Sequence, residues 1–255
     1  MTHIREVLTR LRRAGLVAKS SKCHFALPRL KCLGFIIEEG KILPDPEKIK
    51  TIVDFPIPKT KKHVRCFLGI SGFYRKHIQN YASKAAALTD LTKKDRPDKI
   101  AWGEEENKSF EQLKLDLTSG PVLIPPVPGK GYILKTDACD TGIGCIIGQE
   151  GDDKLEHPIA YASRKLLPRE RAYSTVEKEA LAVVWALSHF EEYTYGAKCQ
   201  VRTDHNCLRY LQTMTNQNPR LTRWSLCIQR YDIEIVYVKA SNHQDVDAIS
   251  RVYMP

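Results

Sequence analysis

Tyr132-Ile133-Leu134-Lys135-Thr136-Asp137-Ala138 is the stretch on which the reading of this chain turns. Its apolar and β-branched residues predict a strand, yet an aspartate stands inside it. A carboxylate within an apolar strand loses hydration that only a partner can replace, so Asp137 demands one. Downstream, residues 143–148 and 159–163 predict two more strands, separated by Gly, Asp or Pro. Ser174-Thr175-Val176-Glu177 has the form of a capping box, and Val176, Ala180, Val183, Val184 and Leu187 give the helix behind it an apolar face. A strand over 200–203, a mostly helical stretch over 205–229 and a strong strand over 233–238 follow. Strands, a helix, a strand, helices and a last strand describe one α/β domain with a mixed sheet.

Upstream, Gly120, Pro121, Pro125, Pro126 and Pro128 mark the best domain boundary, which assigns residues 121–255 to the sheet domain. Residues 45–120 read as mainly helical. Ile49, Ile52 and Val53 have helical spacing, Thr60 can cap a helix with Val64, Phe67, Leu68 and Ser71 on one stripe, and Phe110, Leu113, Lys114 and Leu117 suggest another. Residues 1–44 form a smaller unit. A helix over 3–14 stops at Gly15, strands are expected over 24–27 and 32–37, and Glu39-Gly40 makes a turn.

The chain's 255 residues carry a formal net charge of +10, and the excess is one-sided. Residues 1–120 hold 24 Lys+Arg against 14 Asp+Glu, whereas the remainder is balanced at 16 of each. Two windows, 7–37 and 55–89, contain no acid at all. A polyanion is the natural partner of such a surface, because lysine and arginine displace counterions condensed on phosphates. Lys61, Lys62 and Arg65 fall in the first turns of a helix with an apolar back, and Arg75 and Lys76 continue the charge. The eight cysteines form no CxxC pair and no zinc-type cluster, which reads as reduced, mostly buried thiols of an intracellular protein. The charged N-terminus does not resemble a signal peptide, no apolar run approaches a membrane span, and no membrane partner is expected.

Further acids stand at element boundaries: Glu177 and Glu179 on the long helix, Asp204 at a strand's end in Val201-Arg202-Thr203-Asp204-His205, and Asp245 and Asp247 after the last strand. Thr136-Asp137-Ala138, Pro158-Ile159-Ala160-Tyr161-Ala162-Ser163-Arg164, Glu179-Ala180-Leu181-Ala182-Val183-Val184, Thr203-Asp204-His205 and Asp247-Ala248-Ile249-Ser250-Arg251 resemble, in order and spacing, the ribonuclease H domain of Ty3/gypsy-type retrotransposon reverse transcriptases. Lys22-Cys23-His24-Phe25, Leu33-Gly34-Phe35 and the run from Phe67 to Lys76 resemble the stretch these enzymes carry between palm and ribonuclease H.

The resemblance implies an α/β ribonuclease H-like mixed sheet with flanking helices over 121–255. Ahead of it come a basic helical thumb and connection over 45–120 and a palm remnant over 1–44. It implies that Asp137, Glu179, Asp204 and Asp247 hold two Mg²⁺ ions, with Mn²⁺ as a substitute. These would drive endonucleolytic hydrolysis of the RNA strand of an RNA/DNA hybrid. Lys61, Lys62, Arg65, Arg75 and Lys76, with Leu33, Gly34 and Phe35 at a primer-grip-like hairpin, are then expected to hold the hybrid or a primer-template duplex. The remainder of a Pol polyprotein is an implied partner, acting in a cytoplasmic particle or the nucleus.

Periodicity leaves Glu177 and Glu179 both open, since they flank the apolar face on opposite sides. The capping box accounts for Glu177, and Glu179 matches the family's position. His243 is a candidate proton shuttle or an ordinary loop histidine, and His205 is similarly ambiguous. Asp245 reads as a neighbour of Asp247, Trp224 as a core anchor, and Arg220 and Arg223 as phosphate contacts or an exposed face. Cys139 and Ala240 depart from the family's usual Ser and Gly without removing a ligand. No aromatic-x-Asp-Asp turn occurs, so polymerisation by this chain alone is not expected. A catalytically silent nucleic-acid-binding fragment is the alternative, and a fragment that folds poorly because its hairpin lacks a sheet is a third.

Overall fold

A computed structural model describes residues 2–119, 122–213 and 218–238. The N-terminal helix α1 (Thr2–Arg13) is amphipathic but buries none of its residues. A three-stranded antiparallel sheet follows, β1 (Arg29–Cys32), β2 (Phe35–Glu38) and β3 (Lys41–Pro44) in that order. The strand expected over 24–27 is absent. Ala26 takes a left-handed φ of 51° and Pro28 follows shortly after, which excludes regular pairing there. The run expected as one strand over 32–37 is instead broken by a turn, with Leu33 and Gly34 at φ 49° and 81°. A side chain at Gly34 would also crowd the Tyr74 hydroxyl, which donates to the Gly34 carbonyl at 2.9 Å.

The helical region packs α2 (Pro46–Val53), α3 (Lys61–Phe73), α4 (Tyr81–Lys84), α5 (Ala86–Leu91) and α6 (Glu104–Ser119) around one apolar cluster. Both α2 and α3 begin where the sequence supplies a cap. Asp45 accepts from the Glu47 N–H with Pro46 behind it, and Thr60 accepts from the His63 N–H. Val64 and Phe67 of α3 are buried against Phe110 and Leu113 of α6, the rings of Phe67 and Phe110 lying 4.5 Å apart.

The second core belongs to a five-stranded mixed sheet of order β6-β5-β4-β7-β8. Its strands are β4 (Tyr132–Ala138), β5 (Gly142–Glu150), β6 (Glu156–Lys165), β7 (Cys199–Thr203) and β8 (Ile233–Tyr237). The first three pair antiparallel, while β4–β7 and β7–β8 are parallel. Between β6 and β7 lie the short α7 (Pro168–Arg171), the long α8 (Thr175–His189) and α9 (Glu191–Thr194). A 3₁₀ segment (Asn206–Thr213) and α10 (Pro219–Ile228) complete the layer. Ala180, Val183, Ala186 and Leu187 of α8 bury against Leu134, Cys145, Ile147 and Val201 of the sheet. No described helix is long and apolar enough to cross a membrane.

The helical region and the sheet are bonded together at the edge strand β6. Arg75 donates to the Ser163 carbonyl at 3.2 Å, the Ala82 N–H donates to Ser163 Oγ at 3.0 Å, and Lys165 Nζ meets Asp90 at 3.0 Å. The proline-rich link is itself clamped. Ile42 N–H donates to the Leu123 carbonyl, Ile124 N–H donates to the Pro158 carbonyl, and buried Gln149 bonds both polar groups of the Val127 backbone. The cysteines are less buried than their sequence context suggests. Cys145 and Cys199 alone are buried, Cys32, Cys66 and Cys227 are exposed, and all eight are free thiols.

Candidate active site

Asp137 and Asp204 come side by side through the parallel pairing of β4 with β7. The paired register ends with Lys135 against Arg202, each aspartate follows two residues later on its own chain segment, and the charges of both act on Glu179. Glu179 reaches the same place from the first turns of α8, which Ser174 and Glu177 start with a reciprocal capping box. Asp137 is 5 % exposed and Glu179 2 %. Glu179 Oε1 accepts the Ala138 N–H at 3.2 Å, while its Oε2 is buried with no hydrogen-bond partner among the described residues.

Burial first, and then the charges of Asp137 and Asp204, hold the Glu179 carboxyl well above the usual carboxylate range. The Ala138 N–H only partly offsets them. Among the described residues no Lys or Arg pairs with Glu179 or Asp204. Among the described residues the basic group that meets them is His205, whose Nδ1 lies 3.3 Å from Asp204 Oδ1 and 3.8 Å from Glu179 Oε1. One ligand atom each from Glu179, Asp204 and His205 lies within 4.8 Å of the other two. Neighbouring acids are treated differently. Glu170 is paired with Arg164 at 2.6 Å, Lys178 with Asp140 at 2.7 Å, and Lys135 with Glu156 at 2.7 Å. Converging oxygen donors with a bare buried oxygen, and no Lys or Arg among the described residues paired to Glu179 or Asp204, fit a hard divalent cation.

The choice between the two helix glutamates is a matter of geometry. Glu177 is engaged by Ser174, by Asn218 at 2.9 Å and by Arg220, so it faces the helix start and not the acid cluster. Arg220 also lies over the Tyr173 ring at 3.9 Å, which ties it to Glu177 and Tyr173. Arg223 is exposed, and Trp224 packs against Tyr173 at the core's margin. Asp247, Asp245, His243 and Ala240 lie outside the described residues.

The basic set does not stay together. Lys62 and Arg65 are exposed on α3, with Arg65 donating to the Thr92 carbonyl at 3.3 Å. Lys61 is only 6 % exposed and is not available as the outward contact its sequence position suggested. Arg75 and Lys76 point to the sheet domain, Lys76 lying 3.6 Å from Glu192 and near the Tyr193 ring. Leu33 stands 86 % exposed at the β1–β2 turn beside Gly34, whereas Phe35 is half-buried and stacks on Phe73 and His77. The sequence left His205 ambiguous beside Asp204, and the fold brings its Nδ1 to 3.8 Å from Glu179 Oε1.

Residues 127–231 match the model of the RNase H-like domain found in reverse transcriptase. Over 252 residues, 99% of its length, the chain is 36% identical to the retrovirus-related Pol polyprotein from transposon 297 of Drosophila melanogaster, of which it covers 23%. It is 33% identical over 254 residues to the transposon Tf2-3 polyprotein of Schizosaccharomyces pombe, covering 98% of the chain and 19% of that polyprotein. The chain is thus similar to the reverse transcriptase and RNase H region of Pol polyproteins from Ty3/gypsy-type transposons. It spans about a quarter or less of the length of the curated relatives it matches. The RNase H-like fold and the helical region before it recur together in the foamy viral protease-reverse transcriptase in complex with RNA/DNA hybrid. That likeness has a TM-score of 0.79 and 19% identity over 100% of this chain and 34% of that one. The same protein in complex with dsDNA gives a TM-score of 0.73 and 21% identity over 92% and 50%.

Proposed function

We propose that this chain hydrolyses the RNA strand of RNA/DNA hybrids endonucleolytically, leaving 5′-phosphate and 3′-hydroxyl ends, as part of a longer reverse transcriptase. The observation that carries the reading is the convergence of Asp137, Glu179 and Asp204 on one spot, with no Lys or Arg among the described residues paired to Glu179 or Asp204. These three, with Asp247, would hold two Mg²⁺ ions, and Mn²⁺ would substitute. When bound, the ions supply Lewis acidity for the attacking water and for the leaving 3′ oxygen. The chain contributes rigidity. Asp137 sits in a paired central strand and Glu179 in the capped first turns of α8, so neither carboxylate must reorganise when substrate arrives. His243 is placed by the sequence to exchange a proton near Asp247. Lys62 and Arg65 would contact the duplex backbone without reading its sequence. The rest of a Pol polyprotein would complete the enzyme, in a cytoplasmic particle or the nucleus.

The test is cleavage of a labelled RNA/DNA hybrid by the purified chain in Mg²⁺. Asp137→Asn should lower the rate by about 10³-fold or more, because an amide cannot replace a ligand carboxylate. Undiminished cleavage by that variant would overturn the assignment. Hybrid binding by the unaltered chain with no cleavage in either Mg²⁺ or Mn²⁺ would instead establish a silent binding fragment.

A further inference from the structure

We propose that His205 is a nitrogen ligand of the cation position formed by Glu179 and Asp204, and that it makes this position favour Mn²⁺ over Mg²⁺. The inference rests on the two-cation reading above and deepens it. Asp204 ends β7 and His205 follows in a local turn, where the His205 N–H donates to Thr203 Oγ1 at 3.1 Å. That bond fixes the backbone, and the ring is left beside two carboxylates with its Nδ1 toward both.

The spacings suit coordination. With metal–ligand bonds near 2.1 Å, adjacent ligands of an octahedral ion stand about 3.0 Å apart and opposite ones about 4.2 Å apart. The imidazole nitrogen is 3.3 Å from one carboxylate oxygen and 3.8 Å from the other, between those limits. The other oxygen of the same carboxylate, Glu179 Oε2, is buried without a hydrogen-bond partner among the described residues, so the group keeps acceptor capacity that a cation would use. One ligand atom of His205 lies within 4.8 Å of ligand atoms of both Glu179 and Asp204, so the nitrogen belongs with the position that these two carboxylates share.

Chemistry then decides which ion gains. Mg²⁺ is hard, favours oxygen donors and keeps its waters, whereas imidazole suits transition metals better. Neutral His205 with its proton on Nε2 presents the Nδ1 lone pair to the ion. Replacing one oxygen or water by this nitrogen improves the site for Mn²⁺ and adds little for Mg²⁺.

The experiment is electron spin-echo spectroscopy of Mn²⁺ bound to the full chain carrying ¹⁵N-histidine, with Mn²⁺ and Mg²⁺ affinities measured by calorimetry and competition. A histidine nitrogen coupling should appear, vanish in His205→Ala and His205→Asn, and persist in His243→Ala. His205→Ala should weaken Mn²⁺ binding about tenfold and Mg²⁺ binding less than about twofold. Bound Mn²⁺ without nitrogen coupling, or equal losses for both ions, would overturn the inference and leave the carboxylate site standing. A chain that binds no Mn²⁺ would overturn both. The coupling is measured on the unaltered protein, so the outcome does not depend on how well a variant folds.

Discussion

The helical region and the sheet domain handle charge in opposite ways. In the first, cations outnumber acids, yet several are consumed internally. Lys84 is paired with Asp116 at 2.6 Å, both mostly buried, and Lys114 donates to the Phe55 carbonyl while lying over the Phe110 ring. In the sheet domain the totals balance, yet Glu179 and Asp204 converge on Asp137 with no Lys or Arg among the described residues paired to either of them. Net charge is a sum, and the disposition of charge decides function. A buried carboxylate deprived of a cation carries more information than a surplus of surface lysine, since burying it costs stability that folding alone does not return.

That cost gives the sharpest way to break the comparison. Glu179→Gln should lower hybrid cleavage about 10³-fold, an effect of the same order as that of Asp137→Asn. It should also raise the melting temperature of the metal-free protein at pH 7. The sign follows from linkage. Burial and the two aspartates raise the folded-state pKa, so the native protein holds a proton that the unfolded chain releases, and stability falls as pH rises from the ordinary carboxylate range through the raised value. The amide removes this penalty, so the variant's stability should show a flatter pH dependence above about pH 4.5. Differential scanning calorimetry in chelator from pH 4 to 8 checks it. A variant melting lower than the parent throughout would show that the acid cluster is not strained.

The seam between the regions supplies the next effect. β6 is an edge strand, and the backbone and side chains of Arg75, Ala82, Ser163, Lys165 and Asp90 close it. Arg75→Ala with Lys165→Ala should cost about 2–4 kcal/mol by removing two charge-assisted bonds, and should split one thermal transition into two. A single unshifted transition would mean that the regions are coupled through their apolar contacts alone. Within the sheet domain, burial raises the Glu170 pKa, but Arg164 and the Leu167 N–H more than reverse this and hold it below its usual value. A depressed carboxylate stabilises above its unfolded pKa, and that contribution is lost as pH falls below about 4.5. Glu170→Gln should therefore cost about 1–2 kcal/mol at pH 7 and progressively less toward pH 3, measured by urea unfolding.

What could be read from sequence follows the same division. The five strands of the sheet domain and its long helix α8 were legible because their signals are local: the apolar run around Asp137, the Ser174 capping box, and strands bounded by Gly, Asp or Pro, whereas the four-residue α7 and α9 gave no such signal. The acids could be named, but their meeting depends on the β4–β7 pairing, which no local pattern encodes, and for the same reason His205 could be named without its approach to Glu179. In the helical region Thr60 announces its helix, while Asp45 went unread as a cap and α4 and α5, with four and six residues, form through tertiary packing. The strand β3 escaped notice because it is short and ends in Pro44. Lys61, Arg75 and Lys76 looked alike as positive residues in acid-free sequence. One became buried and two turned to the sheet domain, outcomes fixed by neighbours far along the chain.

The remaining cations allow the smallest and most discriminating test. Each lysine or arginine that neutralises a phosphate releases condensed counterions, so its loss should reduce the slope of log K against log salt by about 0.9 for a duplex. Lys62→Gln with Arg65→Gln should therefore lower the slope for RNA/DNA hybrid binding by about 1.8, so that the weakening relative to the parent is about tenfold greater at about 50 mM than at about 200 mM salt. Arg75→Gln with Lys76→Gln carries the same change in net charge, but those side chains are engaged at β6 and Glu192. That pair should shift thermal stability and leave the slope nearly unchanged. Equal slopes for the two double variants would mean that the protein senses only its total charge, and would remove α3 as a specific grip. A larger slope change from Arg75 and Lys76 would place the duplex across the seam, where the helical region and the sheet domain would hold it jointly.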